Sequence, residues 1–128
     1  MFYGMISSEG LENPLVLNSF NPSRVVIDYQ PKSTGSSYWH RYLLQIEDEK
    51  IDSVVNQFRN LMKHGWYSIF WNDKTVYVVF KDKVFKLEKE KVWKSEEYKN
   101  VRRYGIEHGV QEEYLDFNER FKYYNKQI

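Results

Sequence analysis

The sequence contains no cysteine, which excludes disulfide frameworks, thiol chemistry and zinc-ribbon sites at the outset. Its three prolines (Pro14, Pro22, Pro31) all fall in the first third. Its six glycines are scattered at positions 4, 10, 35, 65, 105 and 109, too far apart to assemble a phosphate-cradling loop. No apolar run approaches the roughly 20 residues of a membrane helix, and Met1 to Gly10 has neither the basic start nor the apolar stretch of a secretion signal. A soluble cytosolic protein that does not engage membranes is therefore expected. Charge of one sign is lacking as well: 19 basic against 18 acidic side chains, net +1, argues against a generic polyanion binder. The familiar catalytic and cofactor strings are missing, with no nucleophile elbow, Walker loop, dinucleotide fingerprint, His-Glu-x-x-His or EF-hand loop. The sequence thus assigns no catalytic residue, no metal site and no cofactor, and an enzymatic role is not its first reading.

What the chain has in excess is aromatic residues: 11 Tyr, 8 Phe and 4 Trp, or 18% of 128 residues. One domain is the default at this length, and area scaling has it bury roughly two-thirds of its unfolded surface, enough for a core that needs no covalent or metal staple. The N-terminal third reads differently from the rest. The polar stretch from Lys32 to Ser37 reads as a loop or flexible linker, and Val25-Val26-Ile27 as a short strand, so residues 1 to 37 are expected to form an arm on the core.

Beyond Trp39 the periodicity sharpens. Tyr42, Leu44 and Ile46 alternate as in a half-buried strand, with His40 on their face and Trp39 opposite. Ile51, Val54, Val55, Phe58, Leu61 and Met62 then follow one helical face, predicting a helix over about 49 to 64 with Asp48 as N-cap and Gly65 beyond its end. Trp66 to Trp71, Thr75 to Phe80 and Val84 to Leu87, joined by short Asn/Asp-containing connections, predict an antiparallel meander. A second helix starts at the capping Ser95, buries Tyr98, Val101 and Gly105, and ends at Gly109. A short helix or turn covers Glu112 to Phe117, and residues 118 to 128 read as a tail. The fold class is therefore α+β: an antiparallel sheet in β-α-β-β-β-α order, a ferredoxin-like variant, with helices on one face and an N-terminal arm on a core of residues 38 to 117.

Of the three histidines, His64 and His108 sit in predicted last turns, where a cation meets the negative end of a helix dipole. His40 lies among Tyr38, Trp39, Arg41 and Tyr42. No carboxylate has strand or helical spacing to it, so an orienting partner must come from elsewhere in the fold. Tyr77 and Lys81 form a Tyr-x-x-x-Lys string, but on a strand the two lie about 13 Å apart, which removes a dehydrogenase reading. The acids Glu47, Asp48, Glu49 and Asp52 are read as helix-start acids and not as a metal site. Residues 81 to 103 form a basic band beside the meander. Lys81, Lys83, Lys86, Arg102 and Arg103 are its nucleic-acid candidates, with edge protection of the sheet as the plainer role for the lysines.

Several strings together resemble a family of small uncharacterised prokaryotic proteins: Trp39-His40 before a strand, His64-Gly65-Trp66-Tyr67, Phe70-Trp71-Asn72-Asp73, Val78-Val79-Phe80-Lys81-Asp82-Lys83-Val84-Phe85, Tyr104-Gly105, His108-Gly109-Val110 and Leu115-Asp116-Phe117. Gly10-Leu11-Glu12-Asn13-Pro14 is similar to that family's opening, so the resemblance covers about residues 10 to 117. Gln111 departs from it, standing where proline is expected. The resemblance implies a single prokaryotic cytosolic domain and contributes no catalytic residue.

The first functional expectation is a non-catalytic binding or protein-interaction module, self-associating as a homodimer through a sheet edge or an uncovered aromatic face, or meeting another protein partner. Its ligand or interface candidates are Trp39, His40, Trp66, Tyr67, Trp71 and Tyr77, with Tyr67, Trp71 and Tyr77 taken as one meander face. A pocket around His40 between arm and sheet, serving a small-ligand binder or enzyme, is the alternative, and a single-stranded nucleic-acid module is a third.

Overall fold

Residues Val76 to Phe80 form an unbroken apolar run without the polar alternation of a strand that has one wet face, and such a run needs cover on both sides. In the computed structural model of the chain, which describes residues 1–91 and 94–126, it receives both. Six strands form one antiparallel sheet: β1 (Phe2–Ser7), β2 (Arg24–Tyr29), β3 (Tyr38–Ile46), β4 (Tyr67–Trp71), β5 (Thr75–Phe80) and β6 (Lys83–Glu88), in the order β2-β3-β1-β4-β5-β6. Three α-helices pack on it: α1 (Ile51–Leu61), α2 (Glu96–Glu107) and α3 (Phe117–Asn125). Among the described residues no helix is long and apolar enough to cross a membrane.

The α+β class and the antiparallel meander are as expected, but the helices lie on both faces. On one side α1 and the 3₁₀ turn Pro14–Ser19 cover Ile6, Leu44, Phe70, Tyr77 and Val79 with Phe58, Val54 and Leu17. On the other, α2 and α3 cover Met5, Leu43, Ile69, Trp71, Val78 and Phe80 with Val101, Phe117, Phe121 and Tyr124. The strand period explains the division. Tyr67, Ile69 and Trp71 pair across β5 with Phe80, Val78 and Val76, whereas Phe70 pairs with Tyr77. Tyr77 therefore belongs to the α1 face and does not share a face with Tyr67 and Trp71.

The expected N-terminal arm is also replaced. Phe2–Ser7 is a central strand, hydrogen-bonded to β3 on one side and to β4 on the other. Gly4 permits this position, since a Cβ there would stand 2.6 Å from the Phe70 ring. The element order consequently runs β-β-β-α-β-β-β-α-α in place of the shorter ferredoxin-like series. Helix α1 is shorter than its apolar spacing suggests, because the chain turns extended at Met62 to bridge Leu11, with the Lys63 amide donating to the Gly10 carbonyl. Asp48 lies in the 3₁₀ turn Asp48–Lys50 and does not cap α1. Ser95 caps α2 as expected, its hydroxyl accepting from the Tyr98 amide at 3.2 Å.

The expected tail is largely α3. Phe117, Phe121 and Tyr124 fall at i, i+4 and i+7 and are all buried against the sheet, which gives the segment a reason to be helical. The last two residues of that tail, 127 and 128, lie outside the described residues.

Candidate functional site

Where the loop joining β2 to β3 folds over the α3 side of the sheet, a partly open cavity of about 220 Å³ remains. Its floor comes from β3, which presents Trp39 and Arg41 on that face; Ser33, Thr34 and Gly35 form one wall and His64 to Tyr67 another. Gly109 to Gln111, Tyr114, Arg120 and Tyr124 close the remaining side. The two turns at its rim need glycine. Gly65 and Gly109 take φ of +85° and +87°, and a Cβ at Gly109 would stand 2.6 Å from His64 Nε2.

The polar stretch expected as a flexible linker is tied down here. Gln111 Oε1 accepts from the Thr34 amide at 2.9 Å and from its hydroxyl at 3.1 Å, while Gln111 Nε2 donates to the Lys32 carbonyl at 3.0 Å. Gln111 thus pins this loop to the segment after α2. Trp39 Nε1 donates to the Ser36 carbonyl at 3.0 Å and fixes the loop's other end.

Two arginines carry the charge of the site. Arg41 is 2% exposed, and its Nε lies 3.1 Å from Asp28 Oδ2 in an ion pair that leaves both Nε and Nη2 without a hydrogen bond. Its guanidinium carbon stands 5.0 Å from the Trp39 ring centroid and 5.6 Å from that of Tyr124. Arg120 Nε donates to Asp116 Oδ1 at 2.9 Å, and its guanidinium carbon lies 5.4 Å from the same Trp39 ring and 5.3 Å from Tyr114. Burial works against the Arg120 charge, but the oxygens of Tyr67 and Tyr124 and the Asp116 carboxylate more than offset it, so its pKa is raised. One indole thus meets two guanidiniums, an arrangement with favourable cation–π terms but unfavourable charge repulsion.

The aromatic walls interlock: Trp39 meets Trp66 at 5.2 Å and Tyr114 at 4.7 Å between ring centroids, both near edge-on. The Tyr67 hydroxyl donates to the Tyr114 carbonyl, and burial pushes the Tyr67 phenol far above its ordinary pKa, which makes it a fixed donor and not a base. The Tyr114 hydroxyl and Trp71 Nε1 are buried without partners.

Of the six ligand or interface candidates, Trp39, Trp66 and Tyr67 line this cavity. Trp71 lies behind it, stacked on Tyr124 at 5.9 Å. Tyr77 is on the opposite face, donating to Asp52 Oδ1 at 3.3 Å. His40 is also on that opposite face. It does have an orienting partner from elsewhere in the fold, Glu9, whose carboxylate accepts from the His40 amide at 2.7 Å and lies 2.6 Å from Nδ1. The expected pocket around His40 is absent, because β3 turns His40 away from the cavity that Trp39 and Arg41 floor. Among the described residues the uncovered aromatic face is absent too, since both faces of β4 and β5 are buried. Apolar exposure is concentrated instead on edge strand β2, at Val25, Ile27 and Tyr29, with Tyr38 beside it on β3.

The basic candidates form no single platform. Lys83 and Lys86 fall at opposite parities of β6, Lys81 pairs with Glu12 at 3.4 Å, and Arg102 with Glu112 at 2.6 Å, leaving Arg103 exposed on α2. Among the described residues no group of three or more His, Asp and Glu is placed to hold a metal ion.

Sequence reasoning missed Arg41, Arg120, Gln111 and Tyr114. Arg41 had a signal, since a cation alternating with Trp39 and Leu43 on a core-facing strand position is a buried charge in need of a reason. No family model, curated protein or solved structure matches the chain.

Proposed function

We propose that this protein is a non-catalytic small-ligand-binding module of the prokaryotic cytosol, and that its ligand occupies the cavity beneath the β2–β3 loop. The observation that carries this reading is Arg41, a nearly inaccessible cation with unfilled donors, built into an aromatic wall beside an open volume. A folded chain has little stability reason to keep such a group, and a convergence of polar groups in a hollow with aromatic walls is a common form of ligand site. The reading assigns no catalytic role: the histidine–carboxylate pair of Glu9 and His40 lies across the sheet from the cavity, Tyr67 is held as a donor to the Tyr114 carbonyl, and His64, which does line the cavity, has no carboxylate beside it among the lining residues.

The test is a titration of the ¹⁵N-labelled protein with single-ring fragments, following the indole N–H signals of Trp39 and Trp66. Saturable shifts of both signals are expected. If no fragment shifts either indole at millimolar concentration, the cavity is not a ligand site.

A further inference from the structure

The charges around the cavity are arranged asymmetrically. Asp28, Asp116 and Glu119 line a separate surface hollow that shares Arg41 and Arg120 with the cavity. Among the described residues no carboxylate lines the cavity itself. The two guanidiniums therefore act as a partition: the acids that balance them stand on one side, and the cavity on the other sees two cations and no anion. In a space walled by Trp39, Trp66 and Tyr67, rings screen a charge less than bulk water does, and arginine is the side chain whose donor geometry matches a carboxylate or phosphate.

Size limits the rest of the molecule. An apolar cavity of about 150 Å³ takes benzene. At about 220 Å³ the present one takes a single ring together with its substituent. The ring walls supply flat contact area for that ring, and the loop carbonyls and hydroxyls at Ser33 and Thr34 leave the mouth polar.

Resting on the reading of the cavity as a ligand site, we infer that its ligand is a flat, single-ring molecule bearing one oxyanion group, with the oxyanion held by Arg41 and Arg120 and the ring against Trp39 and Trp66. The oxyanion also relieves the repulsion between two guanidiniums that share one indole.

The experiment compares benzoate, phenyl phosphate and the neutral benzamide in the same titration of the full chain. At least one of the two anions is expected to bind about tenfold or more tighter than benzamide, a difference of about 1.4 kcal/mol. Preference for benzoate assigns a carboxylate ligand, and preference for phenyl phosphate a phosphate ester. Arg120→Gln is expected to abolish the preference over benzamide, and Arg120→Lys to restore part of it, with a thermal melt of each variant establishing that it is folded. Equal binding of all three probes overturns the oxyanion assignment and leaves the ligand site standing. Absence of binding by all three overturns both. An undiminished anion preference in Arg120→Gln overturns the role given to the arginine pair, and the wild-type comparison remains decisive if that variant does not fold.

Discussion

On the α1 side of the sheet, Ile6, Leu44, Phe58 and Phe70 are each less than 2% exposed, and among the described residues no buried side-chain polar atom of this layer lacks a partner. The Ser68 hydroxyl contacts Met62 Sδ at 3.2 Å, and the Tyr77 hydroxyl donates to Asp52. On the α2 and α3 side, one arginine is almost wholly buried, and among the described residues three side-chain polar atoms (Arg41 Nη2, Trp71 Nε1 and Tyr114 Oη) lie buried without a hydrogen-bond partner, while Arg41 Nε has only its ion pair with Asp28. Each such unmet group costs about 1–3 kcal/mol. The same six strands therefore support one layer assembled for packing and another that tolerates unmet polarity around a cavity. Natural proteins carry local departures of this kind where function requires them, and stability is supplied from elsewhere in the fold.

The largest expected effect lies on the α1 side. Phe58 is fully buried between Phe20 and Phe70, at centroid distances of 5.5 and 5.6 Å. Phe58→Ala should lower the unfolding free energy by about 3–5 kcal/mol while leaving ligand-induced indole shifts intact in the folded fraction. A loss below about 1 kcal/mol in urea denaturation would remove the claim that this layer is the closely packed one.

The next effect sets one chemical change on both faces. Tyr77→Phe removes a bonded hydroxyl and should cost about 1 kcal/mol, whereas Tyr114→Phe removes an unmet one and should stabilise by up to about 1 kcal/mol. Equal signs in the two denaturation curves would break the distinction between the layers.

Much of this division was legible in the sequence. The i, i+3, i+4 spacing from Ile51 to Phe58 gives α1, the Asn/Asp-containing turns give the meander, and Ser95 gives the start of α2. The three-layer arrangement was implicit in Val76 to Phe80, which carries no polar face to leave in water. Phe117, Phe121 and Tyr124 likewise had helical spacing, although Asp116, Asn118, Glu119 and Arg120 among them give the segment a polar look. What could not be read was long-range pairing. Nothing local to Phe2–Ser7 announces a central position, and nothing local to Gln111 announces a bond to Thr34, 77 residues away. The site was legible to the same degree. Trp39, Trp66 and Tyr67 stood out as large rings, but the arginines between them meet only through β3 and α3, which are far apart in sequence.

The central claim is that the buried arginine serves a ligand and not the fold. It is tested most directly by the unfolding free energy of the double variant Asp28→Asn/Arg41→Met, which replaces the ion pair with neutral groups of similar size. Asp28 also accepts from the Tyr123 hydroxyl at 3.3 Å through Oδ1, and asparagine retains an oxygen for that bond. The predicted result is a variant at least as stable as the wild type, by up to about 1 kcal/mol, that no longer distinguishes benzoate from benzamide. A loss of about 3 kcal/mol or more would show that the arginine holds the fold together, and would contradict the account.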